Sequence, residues 1–395
     1  MKAQRLHIDN VTLALVFAIL LLGLVMVTSA SMAIASRDGG DSFSFLERQL
    51  MLCLVGGVLA TIVFCIRTES LEKMAWPLLI AALALLFVVL VPGLGHVVNG
   101  SRRWIRLLGF NFQASELARV LVLVFIASYA VRREDELRST AFGLVKPVAL
   151  LTFIALLLLA EPDFGAASVL FITGFGILFI AGARLRFVLA AGALGAGAAA
   201  LLVMLVPYRM ARVTSFLDPW ADPFNSGFQL TQSLIAIGRG QWFGVGLGES
   251  VQKLFYLPEA HTDFLFAVLA EELGLVGVVV TLALFIGLVW RTFWIAQLAS
   301  RAGLRFQSYL ALGFGLWLGT QALINVGVNM GVLPTKGLTL PLMSYGRSSM
   351  IVTLAWVGLL LRVYHEAMQS GRGMAASRRP DEDAPRAMRA SGARA

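Results

Sequence analysis

Four clusters of polar residues carry whatever chemistry this sequence can perform. Asn99-Gly100-Ser101-Arg102-Arg103-Trp104 runs on to Ser115-Glu116-Leu117-Ala118-Arg119, and Glu161-Pro162-Asp163 is the second. Glu259-Ala260-His261-Thr262-Asp263 is the third, and Pro334 through Ser349 the last. Carboxylates with a nearby His suit proton transfer at neutral pH. In the last cluster, Ser344-Tyr345-Gly346-Arg347-Ser348-Ser349 enters an apolar run. Hydroxyls and backbone N–H groups at a helix N-terminus suit phosphate, with Arg347 adding positive charge; plain helix capping is the alternative.

Each residue type also has a structural use. Glu116 and Arg119 stand three apart inside an apolar run, hence on one helical face where they can pair. Charges at membrane depth face a cavity or a partner, so the pair either positions a catalytic group or only fixes helix packing. Asp263 opens an apolar run just after Pro258. It can cap that helix, or Thr262 can cap and leave Asp263 pointing at substrate. Glu271 and Glu272 lie about 12 Å deeper at helical rise and read as packing partners. His261 has no His, Cys or carboxylate at metal-ligand spacing and no Ser/His/Asp triad around it. Gly244-Val245-Gly246-Leu247-Gly248 lacks the strand–turn–helix setting of a dinucleotide site and reads as tight turns.

The elements that must hold these clusters follow from composition. The 395 residues are 58 % apolar and 14 % charged, against about 45–50 % and about 25 % in soluble proteins. Mean hydropathy is +0.81. Cys53 and Cys65 are the only cysteines, and both sit in an apolar stretch, which excludes a disulfide framework. Apolar runs fall near 11–33, 49–66, 75–92, 113–131, 147–160, 164–182, 187–206, 264–290, 306–330 and 341–361. A span needs roughly 20 apolar residues, and only helix satisfies backbone groups in lipid without closing a barrel. An all-α polytopic membrane protein of about ten helices is expected, with the membrane domain over 1–369 and a disordered cytoplasmic tail over 370–395.

Lys2 and Arg5 precede a first run too long for a cleaved signal, so it reads as an anchor. Placing both termini in the cytoplasm puts twenty Lys and Arg inside and eleven outside, with Arg119 in a span. The net charge of +9 is thereby explained by topology, with no nucleic acid as partner. All four clusters then lie on the extracytoplasmic side. So does the 207–263 segment between helices 7 and 8, whose length marks it as structured and functional.

At these residues the chain resembles the SEDS family of bacterial cell-wall polymerases, and the division type more than the elongation type. The resemblance rests on Asn99–Arg119 (NGSRRWIRLLGFNFQASELAR), Pro162–Gly165, Phe216–Gln229 (FLDPWADPFNSGFQ), Gln232–Gly274 and Asn325–Ser349. Two positions depart from the family pattern: Arg119 stands where Lys is usual, and Arg347 where SYGGSS has Gly. The resemblance implies a multi-pass inner-membrane peptidoglycan glycosyltransferase at the division septum. It would polymerise lipid II, the undecaprenyl-pyrophosphate-linked disaccharide-pentapeptide, into β-1,4 strands.

The resemblance also maps the essential acidic residue onto Asp263 and the supporting ion pair onto Glu116 and Arg119. Arg102, Arg103, His261, Lys336, Ser344, Arg347 and Ser348 are candidates to bind substrate or its pyrophosphate. A class B penicillin-binding protein and other division-site membrane proteins are the implied partners. No cofactor is required by the sequence, with a divalent cation (Mg or Mn) as an open alternative. The competing class is a lipid II flippase, for which membrane-depth charges and Gly/Pro breaks would also serve.

Overall fold

The computed structural model describes residues 6–37, 41–98, 101–107, 110–205 and 207–377. In chain order these form α1 (Asn10–Arg37), α2 (Ser44–Cys65), α3 (Thr68–Lys73), α4 (Ala75–Leu90), β1 (Gly95–Val98), β2 (Ser101–Leu107) and β3 (Phe110–Gln113). There follow α5 (Ala114–Arg132), α6 (Glu134–Ser139), α7 (Ala141–Ala160), α8 (Phe164–Ile180), α9 (Leu185–Met204) and α10 (Pro207–Leu217). Last come α11 (Phe228–Gly240), α12 (Leu265–Arg301), α13 (Arg305–Asn329) and α14 (Arg347–Ser377).

Each of the ten apolar runs falls on a helix. Among the described residues, seven helices are long and apolar enough to cross a membrane, namely α1, α2, α5, α7, α12, α13 and α14, while α4, α8 and α9 are shorter apolar helices. Hydropathy does not register the rest: the small helices α3, α6, α10 and α11, and the antiparallel sheet β1–β2–β3. Pro341 and the turn that follows delay α14 to Arg347, and the helix continues to Ser377, into the stretch expected to be a disordered tail. Residues 378–395 of that tail, with Lys2, Arg5, Asn99 and Gly100, lie outside the described residues.

Burial is greatest along α5, α13 and α14, and α2, α4, α8 and α12 pack directly against them. α14 runs along α2 closely enough that a Cβ on Gly358 would stand 2.2 Å from the Ala60 carbonyl oxygen, an approach only small residues permit. The His7 N–H donates to His365 Nδ1 at 3.0 Å, which brings the N-terminal segment to the distal part of α14. Arg347, where α14 begins, lies toward the other end of that helix.

α12 is two helices joined at Gly274, whose φ of 63° and ψ of −162° leave the helical region. Only glycine adopts that geometry at little cost, and a Cβ there would stand 2.3 Å from the Gly244 nitrogen. The segment after α11 takes up the backbone groups that the break releases. Val245 and Gly246 donate to the carbonyls of Glu271 and Glu272 at 2.9 and 3.2 Å. Leu275 and Val276 donate to those of Gln241 and Trp242 at 2.9 and 3.1 Å. Gly244, Gly246 and Gly248 all have positive φ, so the glycine-rich stretch makes the tight turns expected of it.

The break relocates Glu271 and Glu272 to the end of a short buried helix, rather than deep along one continuous span. They serve as packing partners. Arg239 Nη1 and Ser250 Oγ donate to Glu271 at 3.0 and 2.5 Å, and Lys253 Nζ and Ser29 Oγ donate to Glu272 at 2.8 and 2.6 Å. These bonds tie the segment that leads to Asp263 to α1 and α12.

Candidate active site

The sheet, the turn between α7 and α8, and the segments before α12 and α14 surround one cavity of about 540 Å³, within the range of ligand sites. All four polar clusters reach it. The first supplies Ser101, Arg103, Glu116 and Arg119, and the second supplies Asp163. The third supplies Glu259, His261 and Asp263, and the fourth Lys336, Arg347 and Ser348.

Side-chain bonds lock these clusters together. Asp163 caps α8 by accepting the Ala166 N–H at 3.0 Å, and its other oxygen accepts Gln113 Nε2 and Ser115 Oγ, both at 3.0 Å. The Gln113 N–H then donates to Ser348 Oγ at 2.8 Å, tying the end of β3 to the first turn of α14. Ser348 is thereby already engaged as an acceptor.

Glu116 and Arg119 form the i,i+3 pair, with 2.5 Å between a carboxylate oxygen and Nη2. Both are buried, Arg119 to 1 % exposure, where an unpaired charge is very costly. Arg119 Nε also donates to the Ser115 carbonyl at 3.3 Å, and its guanidinium lies 6.0 Å from the Trp317 ring centre. Its Nη1 meets Gln321 Oε1 at 3.5 Å, and Gln321 Nε2 donates to the Thr339 carbonyl at 3.0 Å. The pair thus reaches the segment before α14 through one amide.

Asp263 lies on the cavity wall, one residue before the α12 N-cap, Phe264. In the first turn of α12, the Ala267 N–H is taken by Asn329 Oδ1 of α13 at 3.1 Å. Thr262 Oγ1 turns instead to the Glu259 carboxylate at 2.6 Å. The Asp263 carbonyl accepts Nδ2 of Asn325 at 2.9 Å and of Asn329 at 3.0 Å.

Cations stand in the same cavity. The Lys336 ammonium lies 4.4 Å from the Phe164 ring centre, and burial lowers its pKa from the ordinary lysine value. Arg103 Nη2 donates to Ser101 Oγ at 3.3 Å, and Arg347 is the first residue of α14. His261 packs edge-on to Phe45 at 5.1 Å, and its carbonyl accepts the Tyr345 N–H at 3.0 Å. Burial lowers its pKa, partly opposed by the Glu259 charge, so the imidazole is neutral at pH 7.

Two predicted residues are not brought in. Arg102 turns to the Leu90 carbonyl at 3.3 Å and does not line the cavity that Ser101, Arg103 and Trp104 line, the irregular register opposite His96 and Val97 breaking strict alternation along β2. Ser344 is buried, with its hydroxyl accepting the Leu340 N–H at 3.0 Å. It shapes the turn before α14.

The sequence reading passed over Gln113, Gln321, Asn325 and Asn329, all polar side chains bonded to loop backbone or to the site. A pair of asparagines four apart in an apolar helix was the available signal. Glu161 of the second cluster is fully buried with neither carboxylate oxygen hydrogen-bonded. Burial, and then the Asp163 charge, raise its pKa to about 8 against the pull of Arg103. Among the described residues, no three His, Cys, Asp or Glu are grouped as metal ligands. Asp163 is moreover committed to three donors. The donor set does not make a protein cage for Mg or Mn, which would need substrate oxygens as well.

Comparison with known proteins gives a consistent pattern. Residues 9–369 match the FtsW/RodA/SpoVE family model, described as "Cell cycle protein". The "Probable peptidoglycan glycosyltransferase FtsW" of Thioalkalivibrio sulfidiphilus is 57 % identical over 370 residues, 93 % of this chain and 92 % of that one. Its namesake in Methylococcus capsulatus is 51 % identical, over 94 % and 93 %. A chain solved in "Structural coordination of polymerization and crosslinking by a peptidoglycan synthase complex" superposes with TM-score 0.72 at 36 % identity, covering 92 % of this chain and 100 % of that one. Rod shape determining protein RodA of Thermus thermophilus gives 0.69 at 32 %, covering 92 % and 98 %.

Proposed function

The chain belongs to the FtsW/RodA/SpoVE family of cell cycle proteins, and from that we propose that it is a multi-pass peptidoglycan glycosyltransferase that polymerises lipid II during division. One observation carries the reading of the site. Asp263 shares a single cavity with Arg103, Lys336 and Arg347, a carboxylate facing the cations that a pyrophosphate would need.

The chemistry follows from what each end offers. Pyrophosphate is a good leaving group and departs without being protonated, so one carboxylate suffices where most glycosidases need two. Asp263 takes the proton of the acceptor's GlcNAc 4-hydroxyl as that oxygen attacks donor C1. The bond from C1 to the pyrophosphate oxygen breaks, the electron pair leaves with the lipid pyrophosphate, and α linkage becomes β-1,4. Arg103, Lys336 and Arg347 hold the charge that develops on the departing group. Neutral His261 lies beside the base as a hydrogen-bonding group for sugar. No step is routed through a metal.

Orientation with the cavity on the extracytoplasmic side is part of this proposal, since its donor then joins strands outside the cell. A class B penicillin-binding protein and other division-site membrane proteins are the proposed partners. The likeness to a chain from a peptidoglycan synthase complex supports the former.

Purified Asp263→Ala protein, given lipid II and its partner, should make no polymer while remaining folded. Polymerisation at the normal rate rejects the assignment. Reconstituted vesicles scored for polymer and for lipid II translocation separate the transferase from a flippase.

A further inference from the structure

α13 is apolar over most of its length, yet it carries Asn325 and Asn329 one turn apart, both buried. A primary amide offers two donors and an acceptor, and here the donors go to backbone carbonyls of the loops and of α13 itself. Asn325 Nδ2 donates to the Asp263 carbonyl at 2.9 Å and to the Leu338 carbonyl at 2.6 Å. Asn329 Nδ2 donates to the same Asp263 carbonyl at 3.0 Å and to the Asn325 carbonyl at 2.8 Å. Its Oδ1 accepts the Ala267 N–H at 3.1 Å, and its own carbonyl takes the Ser233 hydroxyl at 2.8 Å.

Two pieces of chain therefore hang on one helix face: the segment running through Asp263 into the first turn of α12, and the segment through Leu338. That last segment carries Lys336 two residues away, on the same cavity wall as Asp263. Buried carbonyls need some donor wherever they lie. Here the doubly bonded carbonyl belongs to the cavity aspartate itself, and the amide that holds it also holds the cation-bearing segment. Backbone fixed this way sets the point from which the carboxylate reaches the cavity.

We propose that Asn325 and Asn329 are positioning residues for glycosyl transfer, fixing Asp263 relative to Lys336 so that base and leaving-group cation keep one separation through turnover. The inference rests on Asp263 being the base. Neither asparagine lines the cavity, so loss of the clamp lowers turnover and leaves substrate affinity alone.

The test uses the full chain with its penicillin-binding partner, lipid II as substrate, and Asp263→Ala as reference. Asn325→Ala should lower kcat about 100-fold, the scale of a 1 Å misplacement, with KM within about twofold of wild type. Asn325→Ser, which keeps one donor, should recover part of the lost kcat at the same KM. If Asp263→Ala is inactive while Asn325→Ala keeps wild-type kcat, the clamp is rejected and the base assignment stands. If Asp263→Ala is active, the base assignment falls and the clamp with it. A raised KM at unchanged kcat also rejects positioning. Should alanine at 325 yield no folded protein, Asn325→Ser decides, and wild-type kcat in that variant overturns the proposal.

Discussion

Asp263 Oδ2 lies 3.2 Å from the point where a Cβ on Gly337 would stand. That is closer than a carbon and a carboxylate oxygen normally settle, so the absence of a side chain at 337 is part of what places the carboxylate. Gly337 does not have positive φ, and its backbone conformation therefore admits alanine.

Gly337→Ala should fold normally and push the Asp263 carboxylate by a few tenths of an ångström. We expect a drop in kcat of about tenfold, since proton transfer is sensitive to placement on that scale. Steady-state polymerisation with circular dichroism as a folding control checks it. Wild-type kcat in this variant would show that the carboxylate has room to spare.

Lys336 makes no ion pair among the described residues and rests its ammonium against Phe164. Lys336→Met keeps the stem's packing and removes the charge. A charge-assisted bond contributes about 1.5–3 kcal/mol, so turnover should fall roughly 10- to 100-fold when the charge developing on the departing pyrophosphate is left unmet. The loss should be seen in kcat at saturating lipid II, with KM little changed.

The Glu116–Arg119 pair separates stability from function. Removing either partner alone strands a buried charge and should cost about 3–5 kcal/mol, read as a lowered melting midpoint in detergent. Glu116→Gln with Arg119→Met should recover most of that midpoint. If the pair positions the site, the double variant stays folded and polymerises slowly. Wild-type polymerisation by the double variant would assign the pair to packing alone.

Glu161 sets a pH dependence of stability. Its pKa stands at about 8 in the folded protein, against 4.5 for an unperturbed glutamate. The folded state therefore holds a proton that the unfolded chain gives up, and stability falls as pH rises. The contribution is whole below the unfolded value and is lost as pH climbs through the folded one. Melting midpoints measured from about pH 5 to about pH 9 should decline in the wild type and flatten in Glu161→Gln, which keeps the neutral shape. Identical slopes in the two proteins would contradict a buried, protonated Glu161.

The fold was legible because most apolar runs approach a length set by the bilayer, a constraint that acts on each span separately. The gathering of polar residues into four clusters was legible too, since charges in such a chain need a reason. What the sequence hid was local geometry. The irregular strand that turns Arg102 to the Leu90 carbonyl while Arg103 lines the cavity is set by backbone pairing, to which hydropathy is blind. Ser344 reads as a phosphate ligand by type, and the turn before α14 uses its oxygen for the Leu340 N–H. Asn325 and Asn329 act on the backbone of residues some sixty positions earlier, a relationship that no spacing rule reaches.

The break at Gly274 divides α12 into two stretches that should differ in how far they tolerate substitution. Before it, residues 265–272 are enclosed on every side and each meets fixed neighbours, so few substitutions should be accepted. Past it, Val279 and Val280 look outward, and one greasy residue should serve there as well as another. Variation scored position by position across this helix should show a step at Gly274, with the border set by a single dihedral angle.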